Sequence, residues 1–195
     1  MTHKHFLIYK PFKMVSQFIS NDRHQKNKRF LGELFDFPEG CMAVGRLDET
    51  SEGLLIITTD GKLSHTINNS AAFVKEYYVQ LDGEITAEAI EQLKNGVEIS
   101  VNGKQYLTNE CPVKKLSKTP LLPQTSQRIR DDRHGPTSWI SVILNEGKFR
   151  QVRKMTSAVG FPTLRLARAR IANYSIGNMK CGAVLELDDD KLRAI

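Results

Sequence analysis

Cysteine is scarce in this chain of 195 residues. The three present, Cys41, Cys111 and Cys181, lie far apart, form no Cys-x-x-Cys pair and have no histidine at ligand spacing. This excludes a disulfide framework and a zinc ribbon, and reads each thiol as buried or inert in a reducing cytoplasm. Long apolar runs are missing as well. Residues 1–11 hold too short an apolar stretch for a signal peptide, and no segment nears the ~20 apolar residues of a membrane span, so a cytoplasmic protein with no membrane partner is expected. The sequence has no Gly-x-x-x-x-Gly-Lys phosphate loop, no Gly-x-Gly-x-x-Gly turn and no His, Cys, Asp and Glu cluster at metal-ligand spacing. Repeats, heptads and low-complexity tracts are also absent. The length suits one domain or two small lobes, with a core large enough to need no staples.

What the chain has is clustered positive charge, +6 net. One cluster, residues 23–29, holds Arg23, Lys26, Lys28 and Arg29 beside Asp22. A second, residues 114–133, holds Lys114, Lys115, Lys118, Arg128, Arg130 and Arg133 opposed by Asp131 and Asp132. The third, residues 148–170, carries Lys148, Arg150, Arg153, Lys154, Arg165, Arg168 and Arg170 without one acid. Clustering of this kind suits a polyanionic partner. A charge run is ordinarily a solvated face, and for the first two clusters both readings stand. The third is harder to dismiss as a solvated face, because its basic residues interleave with apolar ones that must pack.

Hydrophobic pattern and punctuation predict an α+β fold with a mixed, largely antiparallel sheet and flanking helices. Strands are expected at residues 6–9, stopped by Lys10-Pro11, and at 54–59, ended by Asp60-Gly61. Asp60 can cap a helix over 62–69. Residues 76–81 alternate as a strand with Tyr77, Val79 and Leu81 on one face, and Thr86 starts a helix over 87–95 that Gly96 ends in a left-handed cap. Asn102-Gly103 predicts a hairpin between 97–101 and 104–107. Residues 116–137, polar and interrupted by Pro120, Pro123 and Pro136, read as a long surface loop, and residues 114–133 as a loop segment with no packing duty. A strand over 139–144, a helix over 150–159 and two or three short strands within 164–187 complete the pattern.

The most informative segment is residues 44–61, Val-Gly-Arg-Leu-Asp-Glu-Thr-Ser-Glu-Gly-Leu-Leu-Ile-Ile-Thr-Thr-Asp-Gly, which sets Asp48 beside Arg46 in a turn before a buried run. An Arg-x-Asp pair in such a place is ordinarily a surface salt bridge worth little. Its distance from Gly-Leu-Leu and Asp-Gly, however, resembles the aspartate loop of pseudouridine synthases, in particular the RsuA-type branch that modifies ribosomal RNA. Lys75-Glu76-Tyr77-Tyr78-Val79 resembles the second family segment, although alternating aromatics in a strand are ordinarily core. Asn145-Glu146-Gly147-Lys148-Phe149-Arg150-Gln151-Val152-Arg153-Lys154-Met155 resembles the third and is the most specific match. Tyr9-Lys10-Pro11-Phe12-Lys13 resembles the Lys-Pro-x-Gly opening, with Lys13 where glycine is usual. The Pro136-Thr137-Ser138-Trp139 and Phe161-Pro162-Thr163-Leu164-Arg165-Leu166 stretches narrow the likeness to short members acting on large-subunit, 23S ribosomal RNA. With ten residues ahead of Pro11, a catalytic domain over 1–195 without an S4-type RNA-binding domain is expected.

The resemblance implies isomerisation of a uridine in ribosomal RNA by a monomer needing neither cofactor nor metal. Asp48 is then the catalytic carboxylate, Tyr77 lines the uridine pocket and Arg153 pairs with the carboxylate. Residues expected on the RNA are Arg46, Lys75, Arg128, Arg130, Lys148, Arg150 and Lys154. The reaction breaks the N1–C1′ glycosidic bond, turns the uracil and rejoins it through C5, so no energy source is consumed. It needs one ionised carboxylate beside the ribose and an extruded base. Two alternatives compete with it: a non-catalytic RNA-binding assembly factor on the same fold, which would need no such set of residues, and a glycoside hydrolase, which needs two carboxylates where only Asp48 has a supporting context.

Overall fold

The computed structural model describes residues 3–19, 27–70, 73–130 and 132–193; Arg23, Lys26, Asp22 and Asp131 of the charge clusters lie outside them. Along the chain run β1 (His5–Lys10), β2 (Met14–Val15), β3 (Arg29–Phe30), β4 (Met42–Val44), β5 (Glu52–Thr58), α1 (Gly61–Asn69), β6 (Lys75–Asp82), α2 (Ala87–Asn95), β7 (Glu98–Val101), β8 (Lys104–Leu107), β9 (Val113–Leu116), β10 (Thr137–Leu144), α3 (Gln151–Ala158), β11 (Thr163–Ile171), β12 (Tyr174–Ser175), β13 (Val184–Leu187) and α4 (Asp189–Arg193). They fall in two compact units. The first comprises Met1–Phe73, Leu122–Ser126 and Arg168–Ile195, and the second Val74–Leu121 and Gln127–Ala167. The α+β class expected from the sequence is what forms.

In the first unit β1 pairs antiparallel with β5 and with β13, and β4 adds to β5. All seven residues of β5 are buried, because covering both faces removes the need for alternation. Phe6, Ile8, Leu55 and Ile57 pack with Met14 and Leu31, each full burial worth about 1.5–3 kcal/mol. Phe6, Phe18, Phe35 and Phe37 meet largely edge to face at this core's margin. Asp60 caps α1 as expected: Oδ1 accepts from the backbone N–H groups of Lys62 (2.9 Å) and Leu63 (3.0 Å). Gly53 explains itself sterically. Its φ is 108°, and a Cβ there would lie 2.4 Å from the Arg168 carbonyl oxygen, so only glycine lets these backbones approach.

In the second unit β10 pairs antiparallel with β6 and β9, in a register that sets Tyr77 opposite Val142 and Val79 opposite Ile140. Helices α2 and α3 supply Leu93, Val152 and Met155 to the same core. Thr86 caps α2, accepting from Ala89 N–H. Gly96 has the positive φ expected (91°), but its ψ of 144° is not that of a left-handed cap. The glycine is needed because the Thr108 carbonyl would sit 2.3 Å from a Cβ. Asn102 (φ 51°) and Gly103 (φ 77°) turn the β7–β8 hairpin, as a two-residue loop with both φ angles positive should.

Three further expectations need correction. Residues 163–171 form one strand of nine rather than a short one. Arg150 is not on α3 but precedes it as the N-cap, in the left-handed region at φ 54°, ψ 34°. Residues 114–133 are not a loop free of packing duty: Lys114 and Lys115 lie in β9, paired with β10, and the loop that follows is tied down. Within it Arg130 donates to the Gly135 carbonyl (2.8 Å), to the Pro136 carbonyl (3.1 Å) and to Asp82, tying the loop to the end of β6.

Candidate active site

Asp48 sits in the turn between β4 and β5, closed by a hydrogen bond from Ser51 N–H to the Asp48 carbonyl (3.0 Å). Three upstream residues hold this turn. The buried Ser16 hydroxyl donates to the Leu47 carbonyl (2.8 Å) and accepts from Leu47 N–H (2.9 Å), so both backbone groups beside the aspartate are satisfied by one side chain. The Lys13 N–H donates to the Glu49 carbonyl (2.9 Å), and Lys28 pairs with the Glu49 carboxylate. Leu47 is buried, Asp48 half-buried and Arg46 exposed.

Lys13, standing where the resemblance leads one to expect glycine, adopts φ 59°. It therefore takes the conformation glycine would occupy freely, at a cost of roughly 1–2 kcal/mol for a residue with a Cβ, partly offset by the smaller backbone entropy it loses on folding. Lys13→Gly should stabilise the protein by up to about 1 kcal/mol; a lower melting temperature for the variant would contradict this.

Beneath the turn lies a buried charge group that the sequence reading passed over. Lys10 is fully buried and donates from Nζ to the carbonyls of Pro11 (2.9 Å) and Met14 (2.6 Å). Burial pushes its pKa down from 10.5 to about 7; Arg168 pushes the same way, while the carboxylates of Glu52, Asp48 and Glu49 resist. Glu52 and Arg168 are themselves buried, and Arg168 Nε donates to the Leu54 carbonyl (2.7 Å). The available signal was charged residues inside strands that otherwise read as apolar. Between about pH 7 and 10.5 the unfolded lysine keeps a proton that the folded one releases, so stability should rise with pH across that window, by at most about 1.4 kcal/mol per pH unit. Thermal unfolding of wild type and Lys10→Met across this range checks it: parallel curves would remove Lys10 as the source.

The other candidate residues lie in the second unit. Tyr77 is half-buried on β6 and packs against that unit's core with part of its surface open. Lys75 begins the same strand, opposite Leu144. Arg153 is in the first turn of α3, half-buried, with Nη1 3.5 Å from the Thr163 carbonyl. The turn before α3 is built around Glu146, whose carboxylate accepts from Tyr106 Oη (2.5 Å), Asn109 N–H (3.0 Å) and Gln151 Nε2 (2.6 Å). Burial pushes the Glu146 pKa up, but these three hydrogen bonds and the Lys148 charge outweigh it and hold the carboxyl below its ordinary range. Gln151 Oε1 in turn accepts from Lys148 N–H (2.9 Å).

The basic clusters do not form uniform solvated faces. Lys28 and Arg29 pair with Glu49 and Glu33, Lys115 with Glu84 and Arg130 with Asp82. In the acid-free cluster Arg168 is buried while Lys148 is exposed and Lys154 half-exposed. Arg128 is exposed. Among the described residues no group of three or more His, Cys, Asp and Glu could hold a metal, and no helix is long and apolar enough to cross a membrane.

Ribosomal large subunit pseudouridine synthase E of Xanthomonas axonopodis pv. citri (strain 306) is 39% identical over 171 residues, 87% of this chain and 86% of the relative. The protein of the same name from Vibrio parahaemolyticus serotype O3:K6 is 32% identical, covering 94% of this chain and 74% of its own length. Among solved structures, a pseudouridylate synthase crystal structure superposes with a TM-score of 0.75 at 21% identity, over 98% of this chain and 73% of that one, and so shares its fold. Residues 4–158 match the RNA pseudouridylate synthase family, and it is to this family that the chain belongs.

Proposed function

We propose that this protein isomerises a specific uridine to pseudouridine in the RNA of the large ribosomal subunit, 23S RNA. The carrying observation is the Asp48 segment, held in a braced turn, inside a chain with relatives of 32–39% identity named for this activity. Asp48 supplies the ionised carboxylate, either attacking C1′ or removing the C2′ proton to give a glycal. Arg153 supports that carboxylate and Tyr77 holds the turned uracil, both by the motif match. Arg46, exposed beside Asp48, fills the place of the extruded nucleotide or meets a phosphate. No cofactor is required, since the product is an isomer of the substrate. We further take the enzyme to act as a monomer in the cytoplasm.

Mapping pseudouridines in ribosomal RNA from cells lacking the gene tests the reading. One large-subunit position should lose the modification and regain it on complementation; an unchanged map would overturn the assignment. RNA affinity should also fall steeply with salt, because phosphate contacts release condensed counterions. Arg128, exposed and outside the Asp82 network, is the position at which to probe its loop. Arg128→Glu should weaken binding and flatten the salt slope by about one ion, whereas an unaltered slope would make this residue a bystander.

A further inference from the structure

The turn leading into α3 presents an aromatic ring that neither core packing nor the isomerisation uses. Phe149 has 65% of its surface open, the most exposed phenylalanine among the described residues. The ring is not exposed because its loop is loose. Glu146 and Gln151 cross-link residues 145–151 internally and to Tyr106 and Asn109, and the Gln151 and Lys154 N–H groups bond the carbonyls of Lys148 and Arg150. Lys154 lies over the Phe149 ring, 5.3 Å from its centre, with its Nζ also bonded to the Ser100 carbonyl (2.6 Å). Alongside, the Lys148 ammonium sits 4.7 Å from the centre of the Tyr106 ring.

Resting on the RNA reading above, we propose that Phe149 is a stacking platform for an unpaired base of the substrate RNA, with Lys148 and Lys154 holding the adjoining phosphates. The chemistry favours this occupant over another protein. An open aromatic face is sequence-tolerant for bases and worth about 1–3 kcal/mol per base stacked. The cations set around it match a polyanion, and residues 148–170 contain no acid to oppose one. A paired base hides its faces within the helix, so the platform selects a single-stranded stretch.

The test uses the full chain with a fluorescently labelled single-stranded RNA of mixed sequence and the same sequence as a duplex. Phe149→Ala should weaken single-strand binding about tenfold or more, leave duplex binding unchanged, and keep the salt slope, since no charge is lost. Phe149→Leu should lose as much as Phe149→Ala. Retention by the leucine variant would mean a plain apolar contact and overturn stacking. In Phe149→Trp, the introduced indole should be quenched by single-stranded RNA relative to wild type, whose Trp139 is buried; no quenching would also overturn it. Wild type that binds neither RNA would defeat the functional reading itself, whereas wild-type binding unaffected by Phe149→Ala would defeat only this inference.

Discussion

An Asp48→Asn protein should release no measurable tritium from RNA labelled at uridine C5, a loss of about four orders of magnitude or more in turnover, while folding normally and binding RNA within about threefold of wild type. The amide is nearly the same size as the carboxylate and disturbs neither the Ser16 clamp on Leu47 nor the Ser51 hydrogen bond to the residue 48 carbonyl, both of which engage main chain. What it removes is the negative charge that must either bond to C1′ or accept the C2′ proton. An amide can do neither. Because that charge matters as the glycosidic bond breaks and hardly at all for docking, the deficit belongs in turnover. Tritium release near the wild-type rate would end the case for Asp48, and loss of RNA affinity in parallel would move it from chemistry to binding.

The second large effect is expected at Arg153. If it is merely one phosphate contact in a basic cluster, Arg153→Lys keeps the charge and most of the activity. If it supports the catalytic carboxylate, the planar fork of the guanidinium is needed, and lysine offers a point charge instead. We expect about a hundredfold loss in single-turnover rate, equivalent to ~2.7 kcal/mol, with RNA affinity little changed. Arg150→Lys is the control. Arg150 is an N-cap in the left-handed region, a conformation that either side chain bears at similar cost, so its variant should be milder. Equal, small effects at both positions would mean that the motif match has misassigned the partner.

Features set by neighbours a few residues away were readable from the sequence. The Thr86 start of α2, the Asn102-Gly103 hairpin and the Asp60 cap each rest on a short-range hydrogen bond or φ preference, and each forms where expected. Features set by distant partners were not. The buried Arg168 guanidinium donates from Nε to a carbonyl 114 positions earlier, and β11 runs as one strand through an arginine-rich stretch that reads as broken strands. Arg130 looked like a free loop cation until Asp82, 48 positions away, supplied its partner. Asp48, Tyr77 and Arg153 are proposed from likeness to a family rather than from physics, since no local rule would distinguish a catalytic Arg-x-Asp turn from a surface ion pair. Lys10, overlooked as a strand terminator, shows the cost of reading a charged residue beside proline only as punctuation.

The Ser16 clamp bears on how portable the Asp48 turn is. Both main-chain groups of Leu47 depend on a hydroxyl 31 positions upstream, so a synthetic peptide carrying the aspartate segment would not keep its shape. Grafting that segment onto another scaffold would transfer the residues without the geometry. The smallest transplantable piece includes the chain from Lys10 to Ser16, which means that in any recombination or truncation series the aspartate turn and the Lys-Pro turn have to travel together.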